Sequence, residues 1–416
     1  MTTGLKLIFN TSISNFSEIF SAASIPFLAA GETQYSYDEI NFINITSKSQ
    51  ALVHVLPAGY PIFLRGNFAK TTTSDGAING LKSLFDGNTR IVSARGDIRW
   101  IDYDISQGVA SVRTHIPTAF RYRHLFRGCV SMTVAPALPA TTLAANCYEE
   151  LFLGCTSLTE LAPCPIELEN CWIYWSKKCE DLITVSALPA TTLATSCYIS
   201  MFSHCTGLTA APALPATTLA GWCYTSMFFN CTGLTAAPAL PATTLATSCY
   251  ATMFSDCTGL TAAPALPATT LAGWCYANMF ISCTGLTAAP ALPATTLARN
   301  CYTSMFSSCT GLTAAPALPA TTLAVGCYAS MFFNCTGLTA APALPATTLA
   351  TSCYDGIFQG CRNLNRIAVP FSVWHDDATT NWVLLTSATG TFTCPAVLPD
   401  VRGEHNIPTG WTRTNL

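Results

Sequence analysis

Apolar and small residues return with a period of 26 along most of this chain, and the pattern is most regular from Leu208 onward. The run LTAAPALPATTLA stands unchanged six times, beginning at Leu208, Leu234, Leu260, Leu286, Leu312 and Leu338; the first five copies lead into Cys-Tyr, Met-Phe and Cys-Thr-Gly-Leu. Such repetition marks a solenoid, in which each unit is one supersecondary piece covered only by its neighbours. In the unit Leu208 to Cys231, the residues Leu219, Cys223, Phe228 and Cys231 are four, five and three positions apart. That spacing predicts one core-facing side of a short helix running from Ala220 to the residue before Cys231. Opposite it, Leu208 to Leu214 is predicted to run extended and to stack on the next unit as a parallel sheet, at roughly 4.8 Å per step. Pro212 cannot donate to a ladder, so the regular strand is expected over Leu208–Ala211 only. The expected fold is an α/β repeat solenoid of short parallel strands and short helices, in ten 26-residue units over residues 113–365.

The flanks read differently. Residues 1–34 mix apolar and polar positions without a clear period and are expected to form an arm, an attachment segment or the first strand of the adjoining β-rich domain. Residues 35–112 carry short alternating runs, at Ile40–Thr46, Ala51–Leu56, Tyr60–Asn67 and Arg90–Asp104, separated by Gly-containing turns. They predict a small antiparallel β-sandwich. Residues 366–416 are expected to close the stack as a C-terminal capping module. The apolar stretch Ile19–Ala30 is abutted by Glu18, interrupted by Pro26 and preceded by a single basic residue, Lys6, so it is read as neither a cleaved export signal nor a membrane span.

The 21 cysteines fall in columns rather than pairs. One series runs from Cys129 to Cys361 and the other from Cys147 to Cys353, each in steps of 26 with one step of 24. Free thiols used as small buried hydrophobes are expected, one from each series per coil. No histidine recurs with them, so no metal site is predicted. With a net charge of −3 and charged residues only 10% of the chain, there is no electrostatic footprint for nucleic acid. Arg121, Arg123, His124 and Arg127 in the first unit suit a polar end cap, and Glu149 and Glu150 read as surface charge.

No phosphate-binding glycine loop, metalloprotease motif or nucleophile elbow is present, and His375, Asp376 and Asp377 read as a solvated turn. No catalytic residue, cofactor or enzyme activity is expected. What varies between copies is confined to six positions per unit: the pair before Cys-Tyr, the pair after it, and the pair after Met-Phe. On the predicted helix these share one face, away from the core. Between Gly207 and Ala350 the only charged residues are Asp256 and Arg299. The stripe instead carries Trp222, Phe229, Asn230, Trp274, Ile281, Arg299, Asn300, Phe333 and Asn334, which makes it the candidate binding surface. Free drift of exposed positions is the competing reading.

The order Phe-x-x-Cys-x-x-Leu, an extended run ending in proline, then a turn toward the next Phe resembles the BspA-like leucine-rich repeat of bacterial surface proteins over Thr118 to Leu364. This chain departs from the commoner, shorter repeat by extra residues between Pro215 and Phe228. PALPATTLA with CYxxMFxxCTGL is similar to a variant found in gut Bacteroidales and their phages. Asn381–Phe392 and Ile407–Thr412 resemble the closing module of such proteins, and Ala58–Asn67 followed by ARGDIRWIDYD resembles the β-rich module that precedes it. The resemblance implies a leucine-rich-repeat solenoid and a non-catalytic binding scaffold. Its expected setting is a phage virion fibre or appendage that presents the solenoid to a host surface. A bacterial cell-surface adhesin and a purely structural assembly or spacer protein are the alternatives. The partners implied are a host-surface glycan or protein, or other virion subunits, with no nucleic acid and no membrane insertion. The low charge of the repeats favours an oligomeric assembly.

Overall fold

The computed structural model describes residues 122–136, 138, 142–143, 146–161, 173–188, 190–375 and 377–416, and of the chain before residue 122 the strands alone. It divides into two compact units, one of residues 1–189 and 201–208, the other of 190–200 and 209–416.

In the first unit the strands are β1 (Leu5–Phe9), β2 (Ile13–Asn15), β3 (Thr33–Ser36), β4 (Ile43–Asn44), β5 (Ala51–Leu56), β6 (Pro61–Gly66) and β7 (Ile91–Arg95). Five of them form an antiparallel sheet in the order β4-β3-β6-β1-β7, with Leu7 opposite both Ile62 and Ala94. The remaining two, β2 and β5, pair antiparallel. The predicted run Ala51–Leu56 coincides with β5, and Tyr60–Asn67 contains β6. Whether the two sheets face each other as a sandwich lies outside the described residues. The first repeats come next, with β8 (His115–Ile116) parallel to β9 (Thr142–Leu143) and β10 (Glu160–Leu161) parallel to β11 (Thr184–Val185).

The second unit carries the regular repeats and ends in a three-stranded parallel sheet of β12 (Arg366–Ala368), β13 (Thr391–Cys394) and β14 (Thr412–Asn415). Between coils the extended side is reduced to single parallel bridges, Ala210 to Ala236 to Ala262 and Thr244 to Thr270 to Thr296. The strand expected over Leu208–Ala211 is thus one residue long, because Pro212 and Pro215 leave too few amides to extend it.

The helix expected from Ala220 to the residue before Cys231 does not form; among the described residues there is no helix at all. That segment is a run of tight turns whose amides alternate between two kinds of partner. Thr225, Met227, Phe229 and Cys231 donate to the carbonyl three residues back. Trp222, Tyr224, Ser226, Phe228 and Asn230 donate to Thr247, Cys249, Ala251, Met253 and Ser255 of the next coil, at 2.8–3.0 Å. An α-helix from Ala220 would satisfy every amide beyond its first turn internally, and leave those of Tyr224, Ser226, Phe228 and Asn230 unable to join the coils. The alternation requires a left-handed residue every fourth position, here Trp222, Ser226 and Asn230 at φ 57°, 56° and 57°. Each such residue costs about 1–2 kcal/mol. Five inter-coil bonds at about 0.5–1.5 kcal/mol each offset that cost without exceeding it by much. Net stability therefore has to come from apolar burial.

The burial is columnar. Cys223, Tyr224, Met227, Phe228, Cys231 and Leu234 are all buried, and so are their equivalents in the following coils. Tyr224, Tyr250, Tyr276, Tyr302 and Tyr328 stack at 5.7–5.8 Å between ring centroids. Phe228, Phe254, Phe280 and Phe306 stack at 5.6–5.7 Å. The described cysteines are free and buried. One column does more than fill space, since Cys257, Cys283, Cys309 and Cys335 each donate S–H to the Phe carbonyl of the preceding coil at 3.0 Å. Burial pushes the Cys257 and Cys309 thiols up to about 12.

Two substitutions test this account of the core. The Tyr250 hydroxyl is buried and has no hydrogen-bond partner among the described residues. Tyr250→Phe is therefore expected to leave stability unchanged or to raise it by about 1 kcal/mol, rather than to cost a hydrogen bond; a lowered urea midpoint would contradict it. Thr252 is β-branched yet sits at φ 60°. Thr252→Asn is expected to stabilise by about 1 kcal/mol, read from the thermal midpoint.

Candidate functional site

The variable pairs emerge from the four-residue rhythm of the turn run. Two residues of every four point inward, Cys-Tyr and then Met-Phe, and the two between them point outward. On an α-helix the same pairs would drift by about 40° per step. Here they return to the same side each time. In the second unit this brings the stripe residues onto one outward strip, coil above coil. Trp222 and Trp274 are the most open of its large apolar side chains, at 47% and 42% exposure. Arg299 and Asn334 are exposed, whereas Phe229, Asn230, Ile281, Asn300 and Phe333 are half-buried.

The second member of each outward pair is the left-handed residue. Asn230, Asn300 and Asn334, at φ 57°, 54° and 55°, occupy that place. Asparagine tolerates this backbone better than most residues, so the backbone itself accounts for these three amides. The same rule explains Ser248, Asp256, Asn278 and Ser304 at equivalent positions. A signal for it was present in the sequence, as a recurring Asn, Ser, Gly or Asp every fourth residue. Trp222 and Trp274 stand against the rule, at φ 57° and 60°. A bulky ring gains nothing from the left-handed region, and strain of this kind points toward a role outside the fold.

Elsewhere the strip mixes apolar and polar residues, with Asp256 and Arg299 its charged members between Gly207 and Ala350. Thr225 Oγ1 donates to the Ser248 carbonyl at 2.8 Å and Thr303 Oγ1 to the Gly326 carbonyl at 2.9 Å, so these threonines also tie coils together. Beside the strip run exposed threonine pairs, Thr217 and Thr218, Thr243 and Thr244, Thr269 and Thr270. The opposite side bears shallow clefts such as one of about 300 Å³ lined by Ala289, Pro290, Leu292, Pro293, Pro316 and Pro319. Its residues are the same in all six copies of LTAAPALPATTLA.

The charged residues near the first coil are engaged with each other. Arg123 meets Glu149 at 2.9 Å, and Glu150 meets His124 at 2.9 Å and Arg127 at 3.2 Å. Glu149 and Glu150 are therefore partners of the preceding coil rather than loose surface charge. Burial raises the Glu149 carboxyl above its usual range, while the His124 hydrogen bond lowers that of Glu150. At the other end, His375 turns the chain by accepting Ala378 N–H on its carbonyl at 2.9 Å, and Asp377 is exposed; Asp376 lies outside the described residues. No cluster of His, Cys, Asp or Glu able to hold a metal occurs among the described residues, and no helix there is long and apolar enough to cross a membrane.

These features define a class: a repeat solenoid with an invariant interior and one variable outward strip. Compared with family models, curated proteins and solved structures, the chain shows no match.

Proposed function

We propose that this protein is a non-enzymatic binding scaffold of leucine-rich-repeat type, which presents its outward strip for recognition of a host surface. Its setting in this reading is a phage virion fibre or appendage, as the resemblance of its repeats implies. The observation that carries the binding role is the placement of Trp222 and Trp274, exposed and in a backbone region that disfavours them, within a repeat that is otherwise copied faithfully. Drift on a solvent face would be expected to bring in lysine and glutamate, and to replace strained aromatics. The strip carries almost no charge and keeps the rings.

Intact-mass spectrometry of the native protein in purified phage particles and in cell-envelope fractions tests the setting. An intact chain in particles supports the virion reading. A form found only in envelopes would replace it with a bacterial adhesin. Substitution of both tryptophans that abolishes assembly, rather than attachment, would move the protein to the structural class.

A further inference from the structure

We propose that the outward strip of the second unit is a site for a neutral, extended, β-linked polysaccharide, held by Trp222 and Trp274. This rests on the recognition reading above and names the ligand class. The two tryptophans are two coils apart, roughly 10 Å at the spacing of parallel strands. That separation exceeds the 4.5–7 Å of ring pairs, so the indoles do not stack on each other. A β-linked chain in extended form turns the same face outward at every second sugar, and its two-sugar period is about the length of two coils. Each ring therefore meets an equivalent sugar face, and the sugar between them lies over the coil in which buried Ser248 takes the place of the ring and exposed Thr247 stands beside it.

Three further features fit that ligand. Gly221 and Gly273 precede the two tryptophans, although neither is required by the backbone: an added Cβ would lie 3.5 Å from the Thr247 carbonyl oxygen and 3.6 Å from that of Arg299, both ordinary contacts. Their effect is to remove the side chain that would stand beside each ring. The hydroxyls of Thr243, Thr244, Thr269 and Thr270 line the adjoining ground, with Thr244 and Thr270 bridged in register. Such hydroxyls suit hydrogen bonding to sugar hydroxyls. From Gly207 to Ala350 only Asp256 and Arg299 are charged, which favours a ligand without charge. A protein partner would be better served by a contiguous apolar centre ringed by polar residues than by two rings separated by the small polar pair Thr247 and Ser248.

Calorimetry of the full chain with soluble neutral β-1,4-linked oligosaccharides of increasing length, the gluco, xylo and N-acetylglucosamine series, tests the assignment. Affinity is expected to rise with length until one molecule spans both rings, and then to level off. Trp222→Asn and Trp274→Asn are each expected to weaken binding about 10-fold, about 1.4 kcal/mol, and the double variant to abolish it. Because Asn suits the left-handed position, these variants are expected to unfold at the same or a higher temperature. A midpoint that falls instead would make the rings packing elements and overturn the proposal. So would absence of binding across all three series, or binding undiminished in the double variant. A wild-type oligomer that becomes monomeric in sedimentation on losing both rings would assign the strip to a second copy of the chain. Loss of cell attachment after protease treatment of the cells would assign it to a protein. If wild type attaches to bacterial cells and the double variant attaches equally, recognition stands and the polysaccharide site falls; if wild type attaches to none, the recognition reading itself fails.

Discussion

Gly285→Ala is expected to destabilise the second unit by about 3 kcal/mol, at the upper end of what overpacking costs. An added Cβ there would lie 2.5 Å from the Thr258 carbonyl oxygen and 3.1 Å from that of Leu260. Both atoms belong to the backbone of the preceding coil, so neither can swing aside as a side-chain end could. The Thr258 position is further held by its own hydrogen bond to the Asp256 carbonyl at 3.0 Å. Gly311 meets the next pair, Thr284 and Leu286, at the same distances. The cost comes from close approach between coils, not from a left-handed backbone. Gly273→Ala is the matched control, since its Cβ would meet nothing closer than 3.6 Å, and it is expected to shift the urea midpoint little. Equal effects at the two glycines would refute the crowding account.

Phe280→Ala is expected to cost about 3–5 kcal/mol, the range for emptying a fully buried aromatic site. Phe280 is wholly buried between Phe254 and Phe306, with ring centroids 5.7 and 5.6 Å away and planes within 6° of parallel. Each coil is covered only by its neighbours, so the loss falls on the coupling of coils as well as on one residue. Differential calorimetry is expected to show the single transition broadening or splitting, as coils on either side of the gap melt at different temperatures. Phe333→Ala, on the half-buried outward strip, is expected to cost a small fraction of this. A Phe280→Ala protein that still melted in one sharp transition near the wild-type temperature would show that the aromatic column does not couple the coils.

Both substitutions fall in parts of the repeat whose burial is legible from the sequence. Phe228, Cys231 and Leu234 return at a fixed period and are buried, whereas Leu219, expected on the same core face and equally regular, is only half-buried. The cysteines were also readable as free thiols, from their arrangement in columns. Their S–H bonds to the preceding Phe carbonyls were not, because the partner lies 29 residues away and is a backbone atom that any residue would supply. Similarly, Glu149 and Glu150 looked like loose surface charge because their partners, Arg123 and His124, are one coil earlier in the chain.

Helical spacing predicts the strip as one face of a helix, yet its residues share a side because a four-residue turn rhythm returns them there. Asn230, Asn300 and Asn334 looked like ligands on that helix, and the left-handed backbone beneath them supplies a simpler cause. Trp222 and Trp274 keep their standing for the opposite reason, as the same backbone makes them costly.

By itself, then, the sequence determined the 26-residue period, which columns are buried and which pairs vary, since these depend on residue type and repetition alone. Only the tertiary structure decided the path of the backbone between Ala220 and Cys231. Spacings of four, five and three suit a short helix and a run of turns equally well. The choice between them is made by amides such as Tyr224 and Phe228, whose partners Cys249 and Met253 sit 25 residues further on, where no local pattern of side chains reports them.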